Sequence, residues 1–257
     1  MNDIYISGTG IWTPPYKVSN DELVESFNKY VDLYNLEHTN EIKDGSIEPL
    51  VHSSSEFIVK ASGIKNRYVI EKEALLDPNR MKPQINARND DELSFSAEVS
   101  VIAAKEALNN AGLNPSDIDA VIVSAANLQR AYPAIAIEVQ NELGIEGFAY
   151  DMMVGCSAST FGINNAYCDI KSGKSSKVLV ISPEITSGHN NFKNRDGHFI
   201  FGDICTAVVV EKNSQSKNKF KILNTKLKTS FSNNIRNNYG YMNAIEDKEY
   251  SESELLF

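Results

Sequence analysis

Apolar residues fall into two spacings along this chain, and the two alternate regularly between residues 94 and 182. From Ser94 on, Ala97, Val101, Ala104, Leu108 and Ala111 recur every three or four positions, and Gly112 closes the run, so a helix is predicted. Asn114-Pro115-Ser116-Asp117 is a turn. Ile118 to Ala126 is a mostly apolar run of strand length, the pattern of a strand covered on both faces. Pro133 opens a second helix through Ile135, Ile137, Val139 and Leu143, which ends at Gly144. Phe148–Met153 is a second strand. A helix with Phe161, Ile163, Ala166 and Ile170 on its apolar face follows, with Gly173 past its end, and Val178–Ser182 is a third strand. Helix, strand, helix, strand, helix, strand predicts an α/β layered fold with a largely parallel sheet.

The flanks are less regular. Ile4 to Gly10 reads as a short strand ending in loop glycines, Gly8 and Gly10, without the G-x-G-x-x-G of a phosphate-cradling turn. Ser19-Asn20-Asp21-Glu22 is a capping box that opens a helix with Leu23, Phe27, Tyr30, Val31 and Tyr34 on one face. Residues 35–52 are polar and read as an insertion or mobile loop. Ser53-Ser54-Ser55-Glu56 is a second capping box for a short helix, Phe57 to Ser62, with Gly63 at its end. Lys60, Lys65 and Arg67 surround a basic turn that runs into a strand, suited either to an anionic ligand or to plain solvation. Residues 71–93 read as a surface excursion.

Beyond Ser182, Glu184 to His198 is a polar loop and Ile204–Val210 a strand. Residues 211–219 are a hairpin turn or hinge, Phe220–Thr229 a half-exposed strand, and 230–250 irregular. Ser251-Glu252-Ser253-Glu254 is a third helix-start signal, followed only by Leu255-Leu256-Phe257, too few residues to sustain a helix. The expectation is an N-terminal part of a longer protein, with residues 1–212 one half and 213–257 the start of another, cut short.

Composition narrows the function classes. A net charge of −9 argues against nucleic acid as a partner, because phosphate backbones need a basic surface. Three cysteines without paired spacing argue against a disulfide framework or a zinc knuckle, and fit a reducing cytoplasm. No apolar run approaches the ~18 residues of a membrane span, and the first residues lack a signal-peptide pattern.

Cys156 is the candidate for chemistry. It follows Gly155 at a strand-to-helix turn, where unpaired backbone N–H groups and the helix dipole favour a thiolate. The plain alternative is a small buried hydrophobe. Cys168, in a helix, and Cys205, in a strand, read as core thiols; Glu184, following the strand at Ser182-Pro183, is placed either to border the site or, the favoured reading, as a surface carboxylate, and His189 and His198 read as surface or packing residues.

Gly155-Cys156, the capped basic segment at 53–68, the Arg195 loop and Phe201-Gly202-Asp203 together resemble the thiolase-type condensing enzymes, nearest to the β-ketoacyl-acyl-carrier-protein synthase III family. The resemblance runs from Ile4 to about Val210. It implies the N-terminal half of a pseudo-symmetric α/β/α/β/α fold, a cytoplasmic homodimer without a metal or cofactor, and acyl-CoA and acyl carrier protein as substrates. The implied activity is acyl transfer from CoA to Cys156, then condensation with malonyl-acyl-carrier-protein in fatty-acid biosynthesis.

By that resemblance Cys156 is the nucleophile and its N–H part of the oxyanion hole. Tyr132 is the aromatic that reaches into a partner's acyl pocket. Arg195 and Phe57 flank the CoA adenine, Phe57 where a tryptophan is usual. Lys65 stands in place of one family arginine and Ala61 in place of another, and Gly202-Asp203 is a structural turn. The histidine and asparagine of the condensation step have no counterpart, since the four histidines are His38, His52, His189 and His198. The alternatives are another superfamily member, such as a hydroxymethylglutaryl-CoA synthase or a long-chain head-to-head condensing enzyme, and a non-catalytic thiolase-fold subunit.

Overall fold

The computed structural model describes residues 3–232 and two short paired strands, Arg236–Asn237 and Leu255–Leu256. The helix-start signal at Ser251–Glu254 lies outside the described residues, as do 233–235 and 238–250; Leu255–Leu256, which follow it, are strand. The chain folds as two compact units that interleave in sequence: Met1–Thr13, Ala87–Ile185 and Ile204–Thr229 form the first, and Pro14–Asn86, Thr186–Asp203 and Ser230–Phe257 the second.

The first unit is built on a six-stranded sheet. Its strands are β1 (Ile4–Trp12), β4 (Ala120–Ala125), β5 (Phe148–Met153), β6 (Lys177–Ile185), β7 (Asp203–Lys212) and β8 (Phe220–Lys221), in the order β5-β4-β6-β7-β1-β8. Strand β4 is parallel to both β5 and β6, whereas β1 is antiparallel to β7 and β8. The sheet is therefore mixed, where a largely parallel one was expected.

Every residue of β4 is buried, as its unbroken apolar run requires. Val121 and Val123 face one core, with Leu179 and Ile181 of β6 and residues of helices α4 (Phe95–Ala111) and α5 (Ile135–Leu143). Ala120 and Ile122 face the other, with Val178 and Val180 and with Ala166 and Ile170 of helix α6 (Ala158–Ser172). Gly112, Gly144 and Gly173 end the three helices in the left-handed conformation that glycine adopts without strain.

Two expectations about this unit change. Strand β1 runs through Gly8 and Gly10 instead of ending there: a Cβ on either would overlap the carbonyl oxygen of Ala107 or Ala103, so the glycines are what lets α4 lie directly on the strand. The half-exposed strand expected over Phe220–Thr229 is reduced to Phe220–Lys221.

The second unit packs helices α1 (Asn20–Glu37), α2 (Thr39–Lys43) and α3 (Ser55–Ser62) with a two-stranded antiparallel ribbon, β2 (Tyr16–Ser19) and β3 (Asn66–Val69). The Ser19/Glu22 capping box is present with both reciprocal bonds. For α3 the cap is Ser54, whose hydroxyl accepts from the Phe57 N–H, while Ser53 bonds His198 at 3.1 Å. Residues 35–52, expected to be irregular, hold the end of α1 and all of α2. The excursion at 71–93 is not confined to the surface: Leu75 and Met81 are 0% and 2% exposed and complete a core with Leu23, Phe27, Ile58 and Phe192.

Candidate active site

In the first unit the parallel strands β4, β5 and β6 end on the same edge of the sheet, the edge at which ligands bind in α/β proteins. Past the end of β5 the chain turns at Gly155, whose φ of 55° favours glycine, through a single 3-10 turn, Gly155–Ser157, into α6. Cys156 stands in that turn with its thiol exposed. The start of α6 is fixed against the sheet: Ser124 of β4 donates to the Ala158 carbonyl at 2.6 Å, and Ser159 and Ser182 share a hydrogen bond of 2.8 Å. Gly162 brings the helix close to the sheet, where a Cβ would meet the Val180 side chain at 2.7 Å.

Two acidic groups frame this edge, of which only Glu184 was weighed from the sequence for a place beside the site. Asp151 of β5 accepts from the Ile135 and Ala136 N–H groups at 2.7 and 2.8 Å. It caps α5 from a neighbouring strand, because Ala134 at the N-cap has no side chain for the purpose. Burial raises its carboxyl above the usual value, the two N–H bonds opposing.

Glu184, past the apolar part of β6, is half-buried and not a surface carboxylate as expected. It accepts from the Ala126 N–H at 2.8 Å, and burial pushes it up to about 7. The signal for Glu184 was its place three residues beyond the apolar run Val178–Ile181. No sequence signal marks Asp151 as a cap. Of the other thiols, Cys205 is buried, its thiol pushed up to about 12 by burial, while Cys168, expected in the core, is exposed. Tyr132 lies in the loop before α5 and is 84% exposed.

The second unit brings together Phe57 and Arg195. The Arg195 guanidinium lies 4.1 Å from the Phe57 ring centroid, and its Nε donates to the His52 carbonyl at 2.8 Å. Phe199 meets the same Phe57 ring edge-on at 5.8 Å. The two side chains expected to flank an adenine thus stack on each other here.

Lys60 and Lys65 are exposed, Lys65 just ahead of β3. Arg67 is not available to a ligand: it is 4% exposed and donates to the Asn20 side chain at 2.6 Å and the Ser19 carbonyl at 3.2 Å, and burial lowers it to about 10. His198 is a packing residue, fully buried against Phe27 and pushed down to about 3 by burial, with Arg67 and Arg195 adding to the effect. Asp203 accepts from the Ser187 N–H and hydroxyl, both at 2.7 Å, and from the Ile70 N–H at 2.9 Å, which makes it a structural brace.

The fold is that of the thiolase-type condensing enzymes. A crystal structure of 3-oxoacyl-[acyl-carrier-protein] synthase III from Aquifex aeolicus superimposes with a TM-score of 0.59 at 27% identity, covering 84% of this chain and 55% of that one. A family model for 3-oxoacyl-[acyl-carrier-protein] synthase III matches residues 150–230, which include the Cys156 turn and Arg195. A β-ketodecanoyl-[acyl-carrier-protein] synthase of Pseudomonas aeruginosa is 52% identical over 236 residues, 91% of this chain and 67% of the relative. A β-ketoacyl-[acyl-carrier-protein] synthase III of Brucella anthropi is 34% identical over 171 residues, 66% of this chain and 47% of the relative. The chain belongs to the 3-oxoacyl-[acyl-carrier-protein] synthase III family. It spans two thirds of the Pseudomonas relative and about half of the Brucella and Aquifex proteins.

Proposed function

We propose that this protein is an acyl-transferring condensing enzyme of fatty-acid synthesis in which Cys156 takes the acyl group from an acyl-CoA. The observation that carries the reading is the exposed thiol of Cys156 on a glycine turn at the carboxyl edge of β4–β6, in a chain half identical to a named synthase.

The thiolate attacks the thioester carbonyl carbon. The new bond to Sγ forms as the carbon–sulfur bond to CoA breaks, and the CoA thiolate leaves and picks up a proton. Thioester exchange is close to energy-neutral, so the acyl-enzyme forms and discharges readily. The Cys156 N–H, at the start of the helical turn, stabilises the carbonyl oxygen as it becomes negative.

In the condensing step the acyl group passes to the carbanion left when malonyl-acyl-carrier-protein loses carbon dioxide. The ten-carbon product in the Pseudomonas relative's name supports a medium-chain acyl group, two carbons shorter than that product, as the primer. On the same reading Phe57 and Arg195 separate to take the donor's adenine between them, Lys65 meets its phosphates, and Tyr132 contributes to a partner's acyl pocket in a cytoplasmic homodimer. Its high exposure supports the last role.

Intact-mass measurement after incubation with a medium-chain acyl-CoA tests the assignment. The acyl adduct is expected in the parent chain and in Cys168→Ala, and lost in Cys156→Ala. A folded protein that takes no adduct, or one whose adduct moves with Cys168, rules the assignment out.

A further inference from the structure

The second unit holds a cavity of 560 Å3 whose walls are Tyr30 of α1, the turn at residues 79–82 and the turn at 189–193. Three of the described lining residues, Arg80, Lys82 and Lys193, carry positive charge and none is a carboxylate. In a chain of net charge −9 that is a local reversal of sign.

The turn carrying the cations is anchored from below. Met81 is 2% exposed, and the Arg80 Nε donates to the Lys82 carbonyl at 3.1 Å. Lys193 lies over the Tyr30 ring at 4.9 Å. Asn190 is 6% exposed, and neither its side-chain nitrogen nor its side-chain oxygen has a hydrogen-bond partner. Burying an amide with both ends unpaired is costly, so its retention inside a cationic cavity calls for an occupant that supplies both an acceptor and a donor.

We propose that this cavity binds a phosphate monoester. Its anionic oxygens accept from the Asn190 side-chain amide and from the Arg80 and Lys193 side chains, and a P–OH or a neighbouring sugar hydroxyl donates to the Asn190 side-chain carbonyl. Arg80 supplies the forked donor geometry that matches phosphate, and Lys193 supplies a point charge. The inference does not rest on Cys156.

Calorimetric titration of the full chain with inorganic phosphate, against sodium chloride of equal ionic strength, is the test. Saturable phosphate binding is expected, weakened at least tenfold in the Arg80→Gln/Lys193→Gln double variant. Asn190→Leu is expected to weaken binding by a similar factor while the melting temperature stays level or rises, since an isosteric apolar side chain removes the unpaired amide.

Coenzyme A and its 3′-dephospho form distinguish the source. If the 3′-phosphate adds affinity that the double variant removes, the ligand is the acyl donor's own ribose phosphate. If the two bind alike while inorganic phosphate still saturates, it is a separate phosphorylated compound. Phosphate binding that chloride reproduces, or that neither variant weakens, overturns the proposal.

Discussion

Replacing Glu184 by glutamine isolates the cost of holding a carboxylate at the edge of the sheet next to the Cys156 helix. The carboxyl stands at about 7 in the fold against an ordinary 4.5, with burial as the cause. The folded pKa is raised, so the folded state holds a proton that the unfolded chain has released between those two values. Stability attributable to this group is therefore complete below about pH 4.5 and falls as pH rises through 7. Full desolvation on that scale costs about 3 kcal/mol. The side chain is only half-buried, so the working figure is about 2 kcal/mol above pH 8.

Glutamine keeps a carbonyl oxygen for the Ala126 N–H and removes the titration. Urea unfolding of both proteins at pH 5, 6, 7 and 8 gives the comparison, and titrations common to both cancel. The advantage of Glu184→Gln is expected to be about 0.5–1 kcal/mol at pH 5, where the unfolded carboxyl has already released most of its proton, and to reach about 2 kcal/mol at pH 8. A constant difference across the series would refute the reasoning, as would one that shrinks with pH.

Gly10→Ala is expected to cost about 3 kcal/mol in the same unfolding assay, because the new methyl meets the α4 backbone at Ala103, which cannot rotate away as a side chain would; a loss under about 1 kcal/mol would mean the helix shifts freely. Asp203→Ala strands the Ser187 and Ile70 N–H donors and should lower stability by about 2–4 kcal/mol, with Asp203→Asn losing less. Ser54→Ala should cost about 1 kcal/mol through the α3 cap, with no change in the Phe27–His198 packing seen by NMR. Phe57→Ala should raise the acyl-CoA concentration needed to acylate Cys156 while leaving acylation by a short pantetheine thioester unchanged; equal loss with both donors would remove Phe57 from adenine recognition.

The stretch from Ser94 to Ser182 was legible because each helix has a glycine stop and each strand a burial pattern that composition alone displays. The parts that misled share one cause, a dependence on partners distant in sequence. Gly8 and Gly10 look like loop residues until α4 is laid across them. Leu75 and Met81 are sparse apolar residues in a polar segment, yet each fills a core shared by α1, α3, the β2–β3 ribbon, Phe192 and Phe199. Arg67 looks like a ligand cation, and only the β2–β3 pairing shows it turned toward Ser19 and Asn20. The place of Cys156 in an exposed strand-to-helix turn was legible, whereas the Asp151 cap depends on a strand placing a carboxylate beside another element's first N–H groups.

The Arg195–Phe57 stack has a thermodynamic consequence for any flat ligand that enters there. The guanidinium acts as an internal competitor, already seated where the ligand's ring would lie. A contact of this kind is worth about 0.5–1 kcal/mol. If the open arrangement is disfavoured by that amount, apparent affinity drops roughly three- to six-fold below the intrinsic value. Once the ring is in place, the same guanidinium can stack on it, so the group that opposes entry then slows departure.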